Sequence, residues 1–198
     1  DSMSGTFEHL SVPPTLVAFA VTTVRADEVI SPEFKCPDNK IIMVPAAYDA
    51  QDLPVFAQLR TNFSKIYNLI ADKKVFSAQS VGKGGIAAAI SKMCLGNGLG
   101  FKFTCTPSQE MLFQPLYGTI LLEVSPSFDI DTELGIKEAV ELGEVRSVPS
   151  IITEEDTIML ADVLEAYKKP LEKIFPTRIP QPVHKVHHPN YVPYIREE

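Results

Sequence analysis

Six of the ten glycines fall between Gly82 and Gly100. Three of them, Gly82, Gly84 and Gly85, stand just before Ile86, Ile90, Met93 and Cys94, which are spaced i, i+4, i+7 and i+8. That spacing lays one apolar stripe along a helix. Upstream, residues 74–78 read as a short strand. The order strand, glycine turn, helix constrains the local fold, because glycine takes φ > 0 without steric cost. It also leaves backbone N–H groups at a helix N-terminus, where an anion can meet them. Two readings follow. In one, the turn only lets a helix pack close to a sheet. In the other, Lys83 guards a phosphate site built with Ser80, Gly82, Gly84 and Gly85. A Walker loop is excluded, since Gly-x-x-x-x-Gly-Lys-Ser/Thr does not occur.

The 198 residues suffice for one large domain with a sizeable core. A formal charge of −7, with no basic stripe, argues against nucleic acid and against an anionic membrane surface. No apolar run approaches the length of a bilayer span. The cysteines are Cys36, Cys94 and Cys105, an odd number with no Cys-x-x-Cys pair. They read as small core residues in a reducing compartment, and the expected location is cytoplasmic. His184, His187 and His188 cluster in a proline-rich tail without accompanying ligands, so no metal site is expected. No catalytic triad is visible.

The remaining pattern is irregular. Residues 1–14 form an entry segment, and residues 15–24, nearly continuously apolar, read as a buried central strand. Residues 40–44 are a second strand. Asp52 is expected to cap a helix with Pro54 in its first turn and an apolar face of Phe56, Leu59, Phe63, Ile66 and Ile70. The helix after the glycine turn ends at Gly96 or Asn97. Residues 99–105 and 116–124 read as strands. Asp131 or Thr132 opens a helix carrying Ile136, Ala139 and Val140 and ending at Gly143. Residues 153–156 look like a capping box for a helix that Pro170 breaks. The carboxylate pairs Asp129/Asp131 and Glu154/Glu155 are expected as helix caps. Five prolines after residue 175 mark residues 176–198 as a linker or wrapping arm. The fold class is α/β (α+β), a mixed β-sheet with packed helices.

Several segments carry a family resemblance through their order. Asp1-Ser2-Met3-Ser4 looks like the end of a Gly-Lys-Asp-Ser-Met-Ser motif. Pro14-Thr15-Leu16-Val17, Val29-Ile30-Ser31-Pro32-Glu33-Phe34-Lys35, the Gly84-Gly85 helix start, Leu142-Gly143-Glu144-Val145 and residues 170–177 follow. Together, from Asp1 to about Arg178, they resemble the large single-chain phosphoribosylformylglycinamidine synthases, relatives of the aminoimidazole ribonucleotide synthetases. The resemblance implies an ATP- and glutamine-dependent ligase of purine synthesis. This chain would be its second C-type subdomain, residues 15–175, joined by residues 176–198 to a C-terminal glutaminase. The implied partners are the preceding synthetase subdomains and that glutaminase. ATP or ADP and Mg²⁺ would serve the parent enzyme, with none held tightly by this chain. Asp1 and Ser2 would join the residues of the glycine turn in a nucleotide site.

One departure stands out. Many family members carry His-Asp-x-Ser-Asp-Gly-Gly at this turn. Here Gln79 takes the histidine position, and Ser80 and Lys83 take the aspartate positions. Mg²⁺ prefers carboxylate oxygen, so a degenerate or purely structural site is expected. A selenide-phosphorylating or hydrogenase-maturation enzyme, or a plain interaction scaffold, are the alternatives.

Overall fold

The computed structural model describes residues 2–104 and 106–178. Residues 2–16 make a hairpin of β1 (Ser2–Phe7) and β2 (Leu10–Leu16). Next come β3 (Lys40–Val44), α1 (Phe56–Ala71), β4 (Val75–Ser80), α2 (Gly85–Asn97), β5 (Gly100–Phe103) and α3 (Gln109–Phe113). The order closes with β6 (Ile120–Val124), β7 (Val140–Arg146), β8 (Ser150–Ile152), β9 (Thr157–Met159) and α4 (Leu160–Lys168). The main sheet runs β4-β6-β3-β7-β5-β8-β9, antiparallel throughout except for the parallel pair β5–β8. The expected mixed sheet is therefore present.

Both faces of this sheet are covered. Ile41 and Met43 share one apolar cluster with Ile86, Ile90 and Met93 of α2. Ile42 and Val44 share the other with Ile66 and Leu69 of α1. Two-sided burial explains why residues 41–44 are apolar without alternation. The spacing that defines α2 holds, since Ile86, Ile90, Met93 and Cys94 are each fully buried. Gly98 ends that helix in the left-handed region, just past the expected stop. Burial pushes the Cys94 thiol up to about 12. Cys36, expected in the core, is exposed. Cys105 lies outside the described residues.

Several expectations are corrected. Residues 15–24 are not a central strand. β2 ends at Leu16 and pairs only with β1, and Leu16, Phe19 and Val21 are exposed. A continuous apolar run signals burial only when sheet and helices flank it, and here β3 holds that central place. The hairpin crosses the expected boundary at residue 14, with Pro13 and Pro14 inside β2, where a two-stranded ribbon leaves a free edge to tolerate them. Asp52 does not cap α1. It sits at φ 57° in a loop where the Asp49 Oδ1 accepts from the N–H groups of Gln51 and Leu53. The helix starts at Phe56, and its buried face is Asn62, Ile66 and Leu69, so Phe56 and Phe63 point outward.

The stretch after Asp129 is a short π-helical turn, Ile130–Leu134, closed by Gly135. The Asp129 carboxylate caps it, accepting from the Thr132 N–H at 2.8 Å. Val140 then opens β7 rather than continuing a helix, and Gly143 lies inside that strand. Residues 153–156 are the β8–β9 turn. Thr153 Oγ1 accepts from the Asp156 N–H at 2.9 Å, a local bond that serves a turn as readily as a helix cap. Glu154 and Glu155 are therefore turn residues, not caps. α4 ends at Lys168, before Pro170 as expected.

One buried charge ties the layers together. Glu123 of β6 is fully buried, and among the described residues no cation pairs with it. Its carboxylate accepts from the N–H groups of Lys35 and Cys36, from Asn39 Nδ2 at 2.8 Å and from Ser77 Oγ at 2.7 Å. A bulge between Val75 and Ser77 sets Ser77 opposite Glu123, on the same face.

Candidate functional site

The ladder places the glycine turn. Val44, at the end of β3, and Ser80, at the end of β4, both pair with Ile120, the first residue of β6. Three connections therefore meet at one end of the sheet: residues 45–54, residues 81–84 and residues 116–119. They are tied by hydrogen bonds. The Val81 N–H donates to Thr119 O at 2.9 Å, and the Ala46 N–H donates to Thr119 Oγ1 at 3.0 Å. The Tyr48 hydroxyl donates to Tyr117 O at 2.6 Å. The Tyr117 ring lies beside Gly82, whose Cβ, if present, would sit 3.9 Å from it.

Within the turn, Gly84 and Gly85 take φ of 83° and 65°. The Gly85 N–H donates to Gly82 O at 3.0 Å, and the first helical bond runs from the Ala88 N–H to Gly84 O at 3.1 Å. Gly85 is buried, and a Cβ on it would lie 2.3 Å from Leu112 O and 2.8 Å from Gln114 O. The end of α3 is thus laid directly on the start of α2. Lys83 and Ser80 are exposed, and Ser80 O accepts from Gln79 Nε2.

The structure brings Ser80, Gly82, Lys83, Gly84 and Gly85 to one turn. Ser2 opens β1, on the separate ribbon, and Asp1 lies outside the described residues. The fit of a Mg²⁺–nucleotide can be tested on this geometry. The turn carries no carboxylate, and among the described residues no group of three or more His, Cys, Asp or Glu could hold a metal ion. Of the two glycine N–H groups expected to meet a phosphate, that of Gly85 is already used. Two carbonyl oxygens pack against the same residue, and their negative ends oppose an anion. The residues present do not fit Mg²⁺. They leave Lys83 and the Gly84 N–H for an anion.

Sequence reasoning missed α3 and the clasp between Tyr48 and Tyr117. Five residues are too few for a periodic signal, and Ser108 at the N-cap, accepting from the Met111 N–H, was the available cue. A larger concavity, about 750 Å³, lies elsewhere, between α2, α3 and the β8–β9 turn.

No family model matches the sequence, and no curated protein matches it. Solved structures do. PurL of Thermotoga maritima complexed with AMPPCP superposes with a TM-score of 0.57 at 18% identity, over 70% of this chain and 27% of that one. The same protein complexed with FGAR gives 0.57 at 15% identity, over 71% and 30%. PurLQS from Thermotoga maritima gives 0.55 at 17% identity, over 69% and 27%. This chain thus spans less than a third of the length of these PurL chains. The fold is that of the aminoimidazole ribonucleotide synthetase-like proteins. No helix among the described residues is long and apolar enough to cross a membrane.

Proposed function

We propose that this chain is a structural domain of an ATP- and glutamine-dependent ligase that converts formylglycinamide ribonucleotide to its amidine in purine synthesis, in the cytoplasm. The observation that carries this reading is the fold likeness to PurL over about 70% of the chain. The ordered motifs from Ser2 to Thr177 support it. The proposed partners are the preceding synthetase subdomains and a glutaminase joined through residues 176–198. ATP and Mg²⁺ would act in the parent, at residues outside this turn. Here the turn keeps its glycines because α2 must pack beneath α3. The domain by itself offers no base–nucleophile pair at the turn, so it is expected to turn nothing over.

The test is an assay of the parent polypeptide with formylglycinamide ribonucleotide, ATP and glutamine. The amidine product should form. The 198-residue chain alone should give no glutamine- or ammonia-dependent ATP hydrolysis. A parent with an intact glutaminase that makes no amidine refutes the reading, as does turnover by this chain alone at the rate of the parent.

Lys83 gives a finer test. Calorimetric titration of the chain with ADP should find weak binding that Mg²⁺ does not strengthen. Lys83→Ala should weaken it about threefold, the scale of an exposed charge contact. Tight, Mg²⁺-dependent binding to the unsubstituted chain would mean that the turn is a working nucleotide site.

A further inference from the structure

The cleft between α2, α3 and the β8–β9 turn holds about 750 Å³. That lies within the range of about 300–1,000 Å³ typical of small-molecule pockets. Its floor is apolar. Ile90, Phe103 and Ile151, all buried in the core, reach it beside Leu112. Phe113 and Ile158 also line the cleft and are about half exposed, so apolar surface stays open to water there. One wall is the β8–β9 turn with Glu154, Glu155 and Asp156. The residues that line the cleft include these three carboxylates and no lysine, arginine or histidine.

The main-chain donors of this wall are already used. The Thr153 N–H donates to Asp156 O at 2.9 Å. The N–H groups of Glu155 and Asp156 both donate to Thr153 Oγ1, at 3.3 and 2.9 Å. The Glu154 N–H donates to Thr106 Oγ1 at 3.1 Å, and Glu154 Oε1 accepts from the Thr106 N–H at 3.4 Å. The carboxylates of Glu155 and Asp156 take part in no hydrogen bond or ion pair among the described residues. Two ligand classes drop out. An anion meets three carboxylates and no free N–H on residues 153–156. A peptide strand finds no spare donor on the same wall for its carbonyls. The complementary ligand has a head group that only donates and carries positive charge, on a body that covers the apolar floor.

We propose that this cleft binds a free amphiphilic amine, a primary ammonium on an aryl or alkyl body. The carboxylates of Glu155 and Asp156 hold the ammonium, and the body lies over Ile90, Ile151 and Phe113. The proposal stands on the cleft and its charge, and is independent of the ligase reading.

Three probes with one body and different heads test it: phenylbutylammonium, phenylbutanol and phenylbutanoate. Each is titrated into the full isotope-labelled chain and followed by nuclear magnetic resonance. The amides of Glu155 and Asp156 and the methyls of Ile90, Ile151 and Ile158 should shift with the ammonium. Its Kd should be about tenfold below that of the alcohol, since two exposed charge contacts contribute about threefold each. The carboxylate probe should bind more weakly than the alcohol. The double variant Glu155→Gln, Asp156→Asn removes no described side-chain bond. It should erase the difference between ammonium and alcohol while leaving the alcohol's Kd and the unfolding midpoint unchanged. Phe113→Ala should weaken ammonium and alcohol alike. Equal affinity for ammonium and alcohol in the unsubstituted chain would overturn the proposal, as would the absence of saturable shifts at these residues. Tighter binding of a capped Phe-Lys dipeptide than of the ammonium would also overturn it, by giving the cleft to a segment of a protein.

Discussion

Gly85→Val should leave no stably folded protein, or lower its stability by about 4 kcal/mol or more. Two costs add. At φ 65° a β-branched side chain is strained by its own backbone. Its Cβ would also stand 2.3 Å from Leu112 O, and a carbonyl of the main chain cannot swing aside as a side-chain tip can. Gly98→Ala separates the two costs. Gly98 has φ 67° but nothing within 4 Å of a Cβ, so only the conformational penalty remains, about 1–2 kcal/mol. Thermal or urea unfolding of the two variants beside the unsubstituted chain is the measurement. Equal midpoints for Gly85→Val and Gly98→Ala would mean that α3 does not rest on α2 in solution.

Glu123→Ala should cost about 3–5 kcal/mol. The substitution strands four donors around a fully buried side chain: Asn39 Nδ2 and Ser77 Oγ in the interior and the N–H groups of Lys35 and Cys36 at its edge. Glu123→Gln keeps the shape but replaces one acceptor oxygen with an NH₂ group that faces donors. It too should destabilise, by less. Urea unfolding monitored by circular dichroism reads both. A Glu123→Ala midpoint within error of the unsubstituted chain would show that the loop of residues 34–39 is not held by this carboxylate.

Legibility tracked local chemistry. The α2 stripe and the strand at residues 40–44 were readable from their apolar residues alone, and the strand expected at residues 74–78 forms as Val75–Ser80. The glycine turn was readable because φ > 0 leaves a compositional mark. Residues 153–156 misled because Thr-x-x-Asp offers the same side-chain bond to a turn as to a helix start, and only the sheet decides which forms. Residues 15–24 misled because apolarity records that a surface is to be covered, not what covers it. Glu123 carried no signal at all. One glutamate in an apolar strand looks like an outward-facing residue until the loop of residues 34–39 folds over it. The acidic cleft was invisible for a similar reason: Ile90, Phe103 and Glu155 come from three elements that only the sheet brings together.

The strand order has a consequence for synthesis. β3 lies inside the sheet, third of its seven strands, yet its two neighbours, β6 and β7, begin only at residues 120 and 140. On a ribosome adding about 5–20 residues per second, Ile41–Val44 therefore waits several seconds with neither edge paired. The nascent chain passes through that interval with this apolar strand uncovered. A chaperone that holds extended apolar segments would have its longest opportunity there, before a single rung of the central ladder can close.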